Sequence, residues 1–210
     1  MMAVYLNDKF TNLINKSQIK TILELGGRYG DEAISLAEYY PEATIHTFEC
    51  NPYVLPKARE NLTNKSRITL HEVAVSDISS ESIFYPADNN NPGASSLFVA
   101  KLGKWWGDLP PIAIKTKRLD EYFNENNIQS IDMICADIQG GELRAFEGMG
   151  KYLDNVKYII SEIPTNDATY FGAPTRNDVI QFLEKRGFSL VISSFGNSWE
   201  DDVMFVRLDK

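Results

Sequence analysis

Short apolar runs alternate along the chain with stretches in which apolar residues return every three or four positions. That alternation predicts strands and helices in turn, and so a mostly parallel sheet covered on both faces. Thr21–Leu25, Thr44–Phe48, Ile68–Val75, Ile131–Ala136 and Val156–Ser161 have the length and composition of buried strands. Helical spacing covers Asp8–Gln18, with Phe10, Leu13 and Ile14 on one face, then Asp31–Tyr40, Leu55–Leu62, Leu119–Asn126 and Glu142–Gly148. Pro41 ends the second of these helices, because its ring and missing N–H cannot continue one. Thr175-Arg-Asn-Asp178 has the spacing of a capping box. It opens a helix whose Val179, Phe182, Leu183 and Arg186 share a face before Gly187 ends it. Phe188–Ser193 and Val203–Leu208, joined by a turn with Gly196-Asn197, are expected to close the sheet as an antiparallel pair.

The rhythm fails between Ser76 and Lys117, where Asn89-Asn-Asn-Pro-Gly93, Gly103, Gly107 and Pro110-Pro111 stand where a crossover helix belongs. Two β-prone pieces, Ser82–Tyr85 and Ile112–Thr116, are expected to pair as an inserted hairpin after the third strand. The loop between them, Asp88–Gly107, has the length of a functional loop and is expected to act as a lid.

Composition narrows the class. The chain has 210 residues, 43% of them hydrophobic and 24% charged, which fits one globular domain over 1–210 and excludes a disordered, collagenous or disulfide-built chain. Lys and Arg number 21 against 29 Asp and Glu, a net charge of -8 that repels nucleic acid in the absence of a concentrated basic patch. Cys50 and Cys135 lie in apolar runs, so they read as buried, reduced thiols. No window approaches the roughly 20 apolar residues of a membrane span, and the first residues lack the apolar core of a signal. A soluble, cytoplasmic protein is expected.

The chemistry concentrates in Leu23-Glu-Leu-Gly-Gly-Arg-Tyr-Gly30, where an acidic residue ends a strand and a glycine-rich turn opens a helix. Such a turn lets backbone approach a nucleotide-like ligand at the carboxyl end of the sheet. A second acid, Glu49, ends the next strand, where a carboxylate can accept from both hydroxyls of a ribose. NAD and S-adenosylmethionine both suit that pair. The glycines fall at Gly26, Gly27 and Gly30, which departs from the one, three, six spacing of the dinucleotide fingerprint. The carboxylate of Glu24 suits a ligand with a free amino group better than it suits pyrophosphate. S-adenosylmethionine is therefore the expected cofactor, with Glu24, Gly26, Gly27, Gly30, Glu49, Cys50, Asn51 and Ala74 as candidate contacts.

With the motif around Glu49-Cys-Asn-Pro52, the turn resembles the first two motifs of class I methyltransferases. Four further segments make the chain similar to the FkbM-type methyltransferases over about Ile22–Glu162. They are Ala74-Val-Ser-Asp77, Gly93-Ala-Ser-Ser-Leu97, Lys117-Arg-Leu-Asp120 and Ile131-Asp-Met-Ile-Cys-Ala-Asp-Ile-Gln-Gly-Gly-Glu-Leu143. The resemblance implies a three-layer, Rossmann-like α/β fold with a seven-stranded, mostly parallel sheet. It also implies methylation of hydroxyls on sugars or polyketide-linked groups, and a sugar or glycan acceptor is expected. The chain departs from the family where Lys-Ile-Asp-Val-Glu-Gly is usual. It has Cys135-Ala-Asp-Ile-Gln-Gly140 instead, so a lysine and a glutamate are missing. An unusual acceptor, or a cofactor-binding domain impaired in catalysis, would follow from those losses.

Methyl transfer to a hydroxyl needs the oxygen aligned behind the sulfonium and a base for its proton. Asp137 and Glu162, at the ends of successive strands, are the expected catalytic carboxylates, with no metal required. His46 and His71 lie within strands and read as structural. Ser95, Ser96, Trp105 and Trp106 are candidate acceptor contacts, the tryptophans by stacking on a sugar face. Membership of a larger glycan-modifying polypeptide and homo-oligomerisation both remain open at this level.

Overall fold

The computed structural model describes residues 4–88, 91–101, 109–165, 169–194 and 200–208. Its main sheet has seven strands in the order β3-β2-β1-β7-β8-β10-β9. They are β1 (Thr21–Leu25), β2 (Thr44–Phe48), β3 (Ile68–His71), β7 (Met133–Ala136), β8 (Tyr158–Pro164), β9 (Phe188–Ser193) and β10 (Glu200–Arg207). The first five in that order run parallel. β10 pairs antiparallel with both β8 and β9, as the closing segments predict. The expected turn at Gly196-Asn197 lies outside the described residues.

Alternation along the strands decides which layer each residue joins. Leu23, Leu25, Ile134 and Ala136 face a core with Phe123, Phe146, Leu153 and Leu183, from helices α4 (Leu119–Glu125), α5 (Glu142–Gly148) and α6 (Arg176–Lys185) and a short 3-10 stretch. Ile22, Ile45, Met133 and Cys135 face the opposite core with Phe10, Ala33 and Leu36, from α1 (Asp8–Thr11) and α2 (Asp31–Tyr39). Both sheet faces are thus covered, which gives three layers. The expected capping box is present at the start of α6, with both reciprocal bonds between Thr175 and Asp178 formed.

Two expected elements are corrected. The segment Ile68–Val75 is not one strand: β3 stops at His71, where the N–H of Val73 donates back to the His71 carbonyl across a three-residue turn. Chain beyond the turn becomes β4 (Ala74–Ser76), which leaves the main sheet and pairs with β6 (Ile112–Arg118). β6 also pairs antiparallel with β5 (Ser80–Phe84), so the expected hairpin exists inside a separate three-stranded sheet. The helix expected over Asp8–Gln18 is broken after Thr11 and resumes only as a 3-10 turn at Lys16–Gln18. Asn15 is responsible: its side chain takes a bond from Ser17, and its N–H donates to the Tyr158 hydroxyl at 3.2 Å. Phe10 and Ile14 are buried as the spacing requires, whereas Leu13 turns outward. Helix α3 (Leu55–Leu62) carries Pro56 in its first turn, where no N–H is needed.

The second sheet is clamped to the main body by α5. A Cβ placed on Gly148 would stand 2.2 Å from the Ser76 carbonyl oxygen in β4. Gly148→Ala must push helix and strand apart, and should destabilise the protein by about 1 to 3 kcal/mol in urea unfolding.

Candidate active site

The strand order reverses between β1 and its two neighbours, since β2 and β3 lie on one side and β7 and β8 on the other. Such a switch point leaves a crevice at the carboxyl ends of the strands, and both glycine turn and carboxylates sit there. Gly26 and Gly27 donate their N–H groups to the Phe48 carbonyl at 2.9 and 3.0 Å. This ties the turn after β1 to the end of β2. Gly26 has φ of +92°, and a Cβ there would lie 1.9 Å from the carbonyl oxygen of Asp137. Glycine is obligatory at that position on both counts.

Glu49 is locked by backbone. One oxygen accepts from the N–H of Arg28 at 2.8 Å, the other from those of Cys50 and Asn51 at 2.7 and 2.6 Å. Burial raises its pKa, and these three donors oppose the rise. A cavity of about 390 Å³ opens above, with Gly26, Gly27, Glu49, Cys50, Asn51, Ala74, Ser95, Ser96 and Asp137 in its wall. Nine of the residues singled out by sequence are therefore assembled around one space. Cys50 is only half-buried there, not enclosed as its apolar surroundings suggest, and both cysteines are free.

Other expected residues are placed differently. Glu24 lies beneath the turn and not in the cavity wall. A Cβ on Gly27 would meet the Thr47 hydroxyl at 2.0 Å and a Glu24 oxygen at 3.3 Å. Burial pushes the Glu24 carboxyl up to about 8, and the Thr47 hydroxyl beside it opposes the rise without a well-formed hydrogen bond. Gly30 caps α2 against Leu62 and is likewise outside the wall. Ser95 and Ser96 hold the loop: Ser95 Oγ donates to the Pro92 carbonyl and accepts from Asn51 and Ala87, while Ser96 Oγ donates to the Gln139 carbonyl at 2.7 Å. Trp105 and Trp106 lie outside the described residues, as do residues 89, 90 and 102–107 of the expected lid Asp88–Gly107. His46 and His71 form a chain with Tyr122, each link 3.0 Å, and His71 stacks on Phe48. Burial, with His46 beside it, pushes His71 down to about 4, so this chain is neutral at physiological pH.

Asp137 opens on the cavity, but Glu162 does not. Glu162 lines a separate, small hollow with Gln139, Gly140 and Tyr170. Gln139 lies between the carboxylates and donates to Asp137 at 2.6 Å and to Glu162 at 3.0 Å. Burial raises the pKa of both, and the charge of Asp137 raises that of Glu162 further. Glu142, the other acid of the motif, turns back to accept from the N–H of Ile138 at 2.8 Å and serves the local turn.

Sequence reasoning passed over Arg28 and Tyr170, and read Gln139 only as a departure from the family's motif. Arg28 is the only cation among the described wall residues, against Asp31, Glu32, Glu49 and Asp137. Its place inside the glycine turn was a usable signal. Tyr170 offered none, because it reaches the site only through folding, 31 residues after Gln139.

A family profile described as the methyltransferase FkbM domain matches residues 24–190. The 2-O-methyltransferase NoeI of Sinorhizobium fredii is 27% identical over 192 residues, which cover 87% of this chain and 77% of that protein. Among solved structures, a methyltransferase FkbM from Methylobacillus flagellatus superposes with a TM-score of 0.60 at 12% identity. That match covers 94% of this chain and 46% of the other, so this chain spans about half its length. Aeropyrum pernix fibrillarin, solved with natively bound S-adenosylmethionine, gives a TM-score of 0.50 at 14% identity, covering 89% of this chain and 66% of that one.

The buried carboxyl of Glu24 makes stability depend on pH in a definite direction. Its pKa is higher folded than unfolded, so the folded state holds the extra proton and the associated stability is lost as pH rises from about 4.5 toward 8. Glu24→Gln has no such proton to lose. Relative to wild type it should gain up to about 4 kcal/mol between pH 5 and pH 8, measured by urea unfolding of the cofactor-free proteins.

Proposed function

Because the chain belongs to the FkbM methyltransferase family, we propose that it is an O-methyltransferase acting on a sugar hydroxyl of a glycan or glycoconjugate. Its cofactor is S-adenosylmethionine, in keeping with its family and fold. The cavity fits that molecule. Its volume lies in the range of small-molecule sites, Gly26 and Gly27 line it without side chains, and four carboxylates in its wall suit a ligand bearing a sulfonium and an amino group. Gly26 and Gly27 would hold the methionine part, and Glu49 would accept from the ribose hydroxyls. Arg28 is the natural partner for the cofactor's own carboxylate.

When bound, S-adenosylmethionine supplies an electrophilic methyl group on a sulfur that leaves as a neutral thioether. The rest of the reaction falls to the chain. The observation that carries an oxygen acceptor is Asp137: a carboxylate at the end of β7, open to the cavity, and fixed by Gln139 on its far side. Asp137 would take the proton that the acceptor hydroxyl gives up. A raised pKa suits that task, because a base works best when its pKa approaches the working pH. Neither histidine lines the cavity, so neither competes for the role. A sugar acceptor is supported by the family resemblance and by likeness to a protein named as a 2-O-methyltransferase.

Two measurements test this reading. Wild type should bind S-adenosylmethionine more tightly than its decarboxylated analogue, and Arg28→Met should abolish most of that preference while still binding both; loss of a charge-assisted pair corresponds to roughly tenfold or more in affinity. A preference unchanged in Arg28→Met would remove Arg28 from the carboxylate. Against a panel of sugars, wild type should release S-adenosylhomocysteine in the presence of EDTA, and Asp137→Asn should bind cofactor normally but turn over about 10² to 10⁴ times more slowly. Activity abolished by EDTA and restored by magnesium would replace the carboxylate mechanism with a metal-dependent one.

A further inference from the structure

Gln139 occupies the place where the FkbM-type motif usually has glutamate, and its surroundings are built for an amide. One nitrogen, with two hydrogens, serves two acceptors at once: Asp137 Oδ1 at 2.6 Å and Glu162 Oε1 at 3.0 Å. The Tyr170 hydroxyl donates to Gln139 Oε1 at 2.5 Å, and that bond dictates which end of the amide faces the carboxylates. The backbone is anchored as well, by the bond from Ser96 to its carbonyl. Gln139 adopts φ of +53°, an uncommon conformation for a residue with a Cβ, and both anchors hold it there.

We propose that Gln139 is a positioning residue that ties Asp137 and Glu162 into one carboxyl pair holding a single proton, with Asp137 the anionic member facing the cavity. The charges around the pair support this. Asp202, Glu200 and Glu142 face Glu162 together with Asp137, and all disfavour a second negative charge there. Arg28 faces Asp137 and favours its anion, while Asp202 opposes it. The buried phenol of Tyr170 also lies near both carboxyls. Glu162 is thus the member that keeps the proton, and its carboxyl lies within hydrogen-bonding reach of Asp137, lowering that group's pKa. A glutamate at 139 would bring a third negative charge against both. The amide instead donates to both, so the missing glutamate is no sign of lost catalysis.

In function the proposal rests on Asp137 as the base, but the pair itself is testable without any acceptor. Side-chain carboxyl ¹³C resonances, assigned with Asp137→Asn and Glu162→Gln, should show Glu162 protonated and Asp137 ionised at pH 7 in wild type, each curve inflected by the other's titration. Gln139→Met removes both N–H donors and should raise the Asp137 midpoint by about one pH unit or more. Tyr170→Phe, which frees the amide to rotate, should shift it less in the same direction. Binding of S-adenosylmethionine by calorimetry reports whether each variant is folded. Glu162 found ionised at pH 7, or an unmoved Asp137 midpoint in folded Gln139→Met, would overturn the proposal. If Gln139→Met does not fold, the wild-type curves decide, because two independent titrations refute the pair. Absence of methyl transfer to any sugar would bear on the proposed function and leave these curves unaffected.

Discussion

The carbonyl of Asp137 comes so close to Gly26 that no side chain can stand between them. That contact exists because β1 and β7 are adjacent and in parallel register, Leu25 against Ala136, although more than a hundred residues separate them. Everything in the site follows from it. The glycine turn can fold over the strand ends only there, the Phe48 carbonyl can gather its N–H groups only there, and Asp137 is brought beside the cavity by the same registry. A change that separated these two strand ends would take apart the cavity wall and move Asp137 away from it.

The second constraint is how one small region holds so many acids. Each is accommodated by a different means. Glu49 and Glu142 accept from backbone N–H groups, although burial still pushes Glu142 up to about 8. Asp137 and Glu162 share an amide. Glu24 has only the Thr47 hydroxyl beside it and stays protonated near neutrality. Burying unpaired charge costs far more than burying a neutral acid, so protonation is the expected solution where donors are missing. A ligand with positive charge would shift these balances, which links cofactor uptake to the protonation of the site.

Two segments cover the far end of this arrangement. Residues from Ser96 to Lys101 pair with those from Thr169 to Phe171 through Lys101 and Phe171 N–H bonds and the Ala100–Tyr170 bridge. Ser96 and Tyr170, one from each segment, are also the residues that grip Gln139. The covering structure and the carboxylate pair are therefore mechanically one unit. Solved relatives at 12 to 14% identity share the fold, and fold alone does not specify the acceptor.

Much of the architecture was legible in the chain itself. Strands announced themselves as apolar runs, the capping box of α6 as Thr175 and Asp178, and the cofactor turn as glycines between two strand-end acids, because these signals depend on neighbours a few residues away. Where local signals misled, a distant or hidden bond was the cause. Ile68–Val75 looks continuous, yet a turn at Val73 sends its second half to another sheet, and the opening helix yields to an Asn15 bond with Tyr158. The position of Asp137, the proposed base, was readable from its place after an apolar strand; its partners were not. Glu162 was expected over the cavity and stands behind Gln139, while Tyr170 carried no pattern of its own. Folding brings Asp137, Glu162 and Tyr170 each to 3.0 Å or less from Gln139, and such proximity is set by packing of the whole chain, so only the tertiary structure could decide it.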